Sequence, residues 1–175
     1  MYKLTYLLWL GILLCSCRQK NESKKASNQL NSTQIPTCAP EVTDKLWYAS
    51  GKKAPLLSGL AGIHYAVSTK NTEAQQYFDQ GLMLSFGFNH AEAGRSFYEA
   101  ARQDSTCAMC WWGFAYVLGP NYNGGMEPDN FTRAYDATQK AKSFSVSSAP
   151  KEKDLIEALT YRYTNDTTVA RSVLD

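Results

Sequence analysis

Almost no net charge is left on this chain: Lys and Arg total 18 against 16 Asp and Glu, a formal +2. The charges are also scattered, apart from a Lys-containing run at Lys20 to Lys25. A nucleic-acid partner needs a basic stripe to neutralise phosphates, so that class is excluded. Histidine is scarce too, with only His64 and His90. Cys107-Ala108-Met109-Cys110 is the single Cys-x-x-Cys, and zinc would need two further ligands from Cys38, His64 and His90. Trp111 follows Cys110 where covalent haem attachment wants His. There is no Gly-rich phosphate loop, and no Ser-His-Asp order suggests a hydrolase. These absences argue against an enzyme, with no catalytic residue, metal or cofactor expected. No apolar run is long enough to span a bilayer as a permanent helix.

The N-terminus nevertheless points to export. Lys3 precedes the almost unbroken apolar run Leu4 to Leu14, the length of a secretory signal core. Leu14-Cys15-Ser16-Cys17 follows and resembles the lipobox of bacterial lipoproteins, with Leu three residues before the acceptor Cys and a small residue just before it. Cys17 fits that position better than Cys15, whose predecessor is the bulky Leu14. An ordinary signal peptide with incidental cysteines is the plainer alternative. The reading is a signal peptide over 1–16, lipidation at Cys17, and a chain held on a membrane of the bacterial cell envelope, its folded part outside the cytoplasm. Residues 17–37 are Asn, Ser, Lys and Gln with hardly an apolar side chain, and read as a flexible tether. A lead-in segment, 38–71, stays poorly defined: one helical turn or more is expected around Leu46-Trp47-Tyr48, whereas Gly59 and Gly62 weaken a helix and Val67-Ser68-Thr69 is an extended approach.

From Thr72 onward the pattern is helical. Thr72, with Gln75 three residues on, has the spacing of a capping box. Tyr77, Phe78, Gly81, Leu82, Leu84, Ser85 and Phe88 recur at helical spacing; Ala93, Phe97, Ala100 and Ala101 form a second stripe beyond Gly87-Phe88-Asn89-His90. So short a joint forces two helices to pack antiparallel. Tyr77, Gly81, Leu84, Ala93, Phe97 and Ala100 stand at the offsets of a tetratricopeptide repeat, with Ser105 where that pattern has Pro. Thirty-four residues on, roughly one such repeat, Trp111, Ala115 and Leu118 begin a second unit in phase. Its next helix, Phe131 to Phe144, is displaced by an enlarged loop, Gly119 to Pro128. The domains are therefore a first hairpin over 72–106, a second over 107–148, and the start of a third, incomplete one over 149–175, as in a fragment of a longer array.

The runs Ala74-Gln75-Gln76-Tyr77-Phe78-Asp79-Gln80-Gly81-Leu82, Phe88-Asn89-His90-Ala91-Glu92-Ala93, Arg95-Ser96-Phe97, Cys107-Ala108-Met109-Cys110, Trp112-Gly113, Leu118-Gly119-Pro120-Asn121 and Leu155-Ile156-Glu157-Ala158-Leu159 resemble a family of exported bacterial tetratricopeptide-repeat proteins. The resemblance covers roughly 64–175 and implies an all-α fold, an α-solenoid of antiparallel helical hairpins.

Three features could carry chemistry. Cys107 and Cys110 suit either a structural disulfide at the turn between repeats, with Cys38 as another possible mate, or a redox pair at a helix start. His90, beside Asn89 and Glu92, reads as a metal ligand or partner contact, or more plainly as a side chain bonded to its own hairpin. The enlarged loop offers Asn121, Tyr122, Asn123 and Met126 to a ligand, unless its Asn and Gly only make turns. The function expected is a membrane-anchored, non-catalytic scaffold that binds another protein or peptide; the alternative is a redox or metal-handling envelope lipoprotein built on Cys107 and Cys110. A structural part of an envelope assembly is a third option.

Overall fold

The computed structural model describes residues 45–60, 62–122 and 124–166, all within the compact unit Pro36–Asp175. The signal segment 1–16, Cys17, the tether 17–37, Cys38, Asn123 and the end of the third hairpin (167–175) lie outside the described residues. The described part is all-α: helices α1 (Lys45–Ala49), α2 (Thr72–Phe86), α3 (His90–Gln103), α4 (Ala108–Leu118), α5 (Asn130–Phe144) and α6 (Pro150–Thr160), with a 3-10 turn at Ser145–Ser147. Among these residues no helix is long and apolar enough to cross a membrane.

From α2 onward each helix packs on the next, and α2 and α6 also touch α4. The sequence of α4 explains its central place. Ala108-Met109-Cys110-Trp111-Trp112-Gly113-Phe114-Ala115-Tyr116-Val117-Leu118 is apolar all round rather than on one stripe, and all but Trp112 and Tyr116 are buried. A helix without a polar face needs neighbours on every side.

Phe97 of α3 is fully buried and lies between two glycines from different helices. A Cβ placed on Gly81 would meet its ring at 2.7 Å, and one on Gly113 would also overlap it. Phe78 closes the site edge-on at 5.4 Å. The small residues let α2 and α4 approach a ring that wider side chains would hold off.

The start of α2 differs from expectation. Asn71, not Thr72, is the N-cap: its Oδ1 accepts from Ala74 N at 3.0 Å while its Nδ2 donates to Gln103 O at 2.9 Å. Asn caps at least as well as Thr, and here the same side chain also ties α2 to the end of α3. Gln75 is freed for another task, described below. Phe88, which the sequence offers both to the α2 stripe and to the joint, stands in the joint with φ 59° and is exposed. Asn89 begins α3 by accepting from Glu92 N at 3.4 Å.

Small α1 is held by its rings. Tyr48 meets Tyr98 and Phe114 at 5.1 and 5.3 Å, with the Arg133 guanidinium 4.9 Å above it. At the other end Tyr163, buried just past α6, donates its hydroxyl to Ala115 O of α4 at 2.7 Å.

Candidate functional site

Beyond α1 the described part of the lead-in runs as an extended strap laid over α2. Polar side chains of the helix hold its backbone. Tyr77 Oη donates to Ala54 O at 2.7 Å, Gln80 Nε2 donates to Pro55 O at 2.9 Å, and Gln80 Oε1 accepts from Leu57 N at 2.7 Å. Tyr77 ionises less readily than usual, chiefly through burial. After the loop at Gly59, whose φ is +83°, the strap returns. Gln75 Oε1 accepts from Val67 N at 3.0 Å, its Nε2 donates to Tyr65 O at 2.9 Å, and Asp79 Oδ1 accepts from Tyr65 N at 3.1 Å.

The far end of the strap is fastened to α6 and to the end of α3. Buried Glu152 of α6 accepts from Ser68 N at 2.7 Å, and Thr69 Oγ1 donates to Asp104 Oδ2 at 2.6 Å. Burial of Asp104 would raise its pKa, but the hydrogen bonds from Thr69, Thr106 and Cys107 outweigh it and the net shift is downward.

Beneath the returning strap, α2, α4 and α6 border a partly open cavity of about 310 Å³. Phe78, Leu82 and Phe86 come from α2, Met109 and Trp112 from α4, and Leu155 from α6, so the lining is almost wholly apolar. Trp112 Nε1 donates to Leu155 O at 3.0 Å, and its ring lines the cavity while stacking on Tyr116 at 5.1 Å. Ile63 and Tyr65 of the strap form one wall, with Lys151 Nζ 4.9 Å over the Tyr65 ring.

A second cavity, of about 300 Å³, lies where the hairpin joint meets the enlarged loop. It brings together His90, Asn121 and Tyr122 with Phe86, Phe88 and Arg162. His90 is buried, its Nε2 has no hydrogen-bond partner, and desolvation lowers its pKa from the usual 6.5. The loop closes on itself at Asn121, which exchanges backbone hydrogen bonds with Gly124 at 2.9 and 3.2 Å. Tyr122 at its tip is 97 % exposed. Met126 is elsewhere, half-buried against the core, and Asn89 is occupied as a cap.

Cys107 and Cys110 are joined in a disulfide, with Cα atoms 5.4 Å apart. Both are almost fully buried, and Cys107 Sγ, at the N-cap of α4, also accepts from Cys110 N. Among the described residues no group of three His, Cys, Asp or Glu could hold a metal ion.

The polar residues that grip the strap were not singled out from the sequence. Gln75 reads from the sequence as part of a capping box, and Asp79 and Gln80 appear there only within the run Ala74 to Leu82. The available signal was Gln75 and Asp79 four apart on one helix face, together with the alternation through Ile63-His64-Tyr65-Ala66-Val67.

No family model, curated protein or solved structure matches this chain.

Proposed function

We propose that this protein is a non-catalytic scaffold of the bacterial cell envelope, a tetratricopeptide-like array lipidated at Cys17, that grips an extended segment of another protein on the face formed by α2, α4 and α6. The observation that carries the reading is the apolar cavity to which all three helices contribute. In a stack of hairpins, alternate helices share one face, and a hollow spanning three of them is where one ligand touches successive repeats. The contacts of α2 and α6 with α4 favour such a stack. The buried disulfide favours it over the redox alternative, because thiol exchange needs an accessible sulfur.

The test is cross-linking in cells on the full-length reading frame, followed by purification from membranes and mass spectrometry for partners and for lipid on Cys17. A dominant partner is expected, lost on Leu82→Asp and Trp112→Ala, which alter the cavity lining, and retained by the folded Cys107→Ser/Cys110→Ser variant. An acylated protein that captures nothing would sink the scaffold; partner capture that depends on the two cysteines would revive the redox reading.

A further inference from the structure

The stretch Ile63–Thr69 is bound as a peptide ligand would be. Burial alternates along it: Ile63, Tyr65, Val67 and Thr69 are partly or fully buried, and His64, Ala66 and Ser68 are exposed. That is the period of an extended strand with one face down. The Gln75 amide accepts from Val67 N and donates to Tyr65 O. A residue on a neighbouring parallel strand makes the same pair of bonds, to the carbonyl before and the amide after the residue it faces. Asp79 adds the Tyr65 amide on one carboxylate oxygen and His64 Nδ1, at 2.8 Å, on the other. Backbone contacts of this kind read extension rather than sequence; the pockets under alternate side chains supply the selectivity.

The strap also has the marks of a part that opens by itself. Of these seven residues only Val67 is less than one-tenth exposed, whereas the α3 and α4 stripes beneath are nearly closed to water. Segments held by a few side-chain hydrogen bonds at a surface open at lower free energy than the core.

We infer that Gln75 and Asp79 form a reader of extended backbone on α2, that Ile63–Thr69 is its resident occupant, and that the partner enters by exchanging for it. The incoming segment is an extended one with apolar residues at alternate positions, matching Ile63, Tyr65 and Val67. This deepens the scaffold reading and rests on it. Because the strap is covalently joined to α2, it competes at an effective concentration on the order of millimolar, so a free peptide faces a high threshold.

The first test uses the unmodified full chain in hydrogen–deuterium exchange. The amides of Tyr65, Val67 and Ser68 are expected to exchange at least a hundredfold faster than those of α3 and α4; exchange at the core rate would make the strap a fixed part of the fold and overturn the inference. The second uses a fluorescent synthetic peptide of residues 62–70 as probe. Val67→Asp weakens the resident strap without touching α2, so the probe should bind V67D at least tenfold more tightly than the native chain, and Gln75→Ala with Asp79→Ala in that background should abolish the gain. Equal binding to native and V67D chains, with helical content retained, refutes the exchange. A partner captured in cells while the probe never binds leaves the scaffold standing and removes the inference; probe exchange with no cellular partner sinks the scaffold and the partner's entry with it, leaving only the exchangeable strap.

Discussion

Gly113→Ala pits two effects of opposite sign against each other. An alanine in a helix interior is favoured over glycine by about 1 kcal/mol. Against that, the new Cβ would overlap Cγ, Cδ1 and Cε1 of Phe97. The ring has little room to retreat, being fully buried and so close to Gly81 that an ideal Cβ there would also lie only 2.7 Å from it. Overpacking of this kind costs about 3 kcal/mol at the upper end of its usual range. The net expectation is a loss of about 2 kcal/mol, or about 8 °C in Tm for a folded part of this size. Urea and thermal unfolding followed by far-ultraviolet circular dichroism would measure it. In a double-mutant cycle with Phe97→Leu the strain should relax, with a coupling of at least about 1 kcal/mol in favour of the pair. A Gly113→Ala protein that is as stable as the native one, or more so, would refute the clamp and leave helix propensity as the controlling effect.

Other outcomes follow from the same contacts. Tyr163→Phe leaves Ala115 O without its donor in a buried place and should cost about 1 kcal/mol, while Tyr161→Phe, at a residue 73 % exposed, should be neutral in the same denaturation assay. Reducing the Cys107–Cys110 disulfide, which closes a loop with a sequence separation of 3, should lower stability by about 2 kcal/mol on the chain-entropy account and leave partner capture unchanged. Burial depresses the pKa of His90 below 6.5, so the unfolded chain takes up a proton that the folded one resists. The stabilising contribution is present above pH 6.5 and is lost as pH falls through the lower folded value. Urea titrations at pH 7.5 and pH 5 should therefore show a decline that His90→Gln makes shallower; an unchanged slope would mean that the imidazole is not held neutral. Asp104 loses its contribution only below its own usual value of 3.8, outside that window.

Helices and their buried faces were legible in the sequence where one local period decided them. Phe97, Ala93, Ala100 and Ala101 on α3 read as a stripe and are buried, and within the helix expected over Phe131 to Phe144 the buried residues Ala134, Ala137, Thr138 and Ala141 recur at helical spacing. Gly113 was harder to interpret, because a glycine inside an apolar helix reveals its purpose only when the ring that fills its place is known, and that ring is on another helix. The strap was less legible still. Its extended path is determined by partners far along the chain: Ser68 meets Glu152 across 84 positions and Thr69 meets Asp104 across 35. Local sequence in that stretch, with its glycines and exposed leucines, has no strong preference, so the polar groups of the finished fold choose its shape. Gln75 illustrates the same point from the helix side. At a helix start its local use is a capping box, but Asn71 already caps α2, and the Gln75 side chain can then bond to the strap at residues 65 and 67. A polar residue that a helix does not need for its own ends is available to hold another chain segment, and that availability is what lets Gln75 fasten the strap to α2.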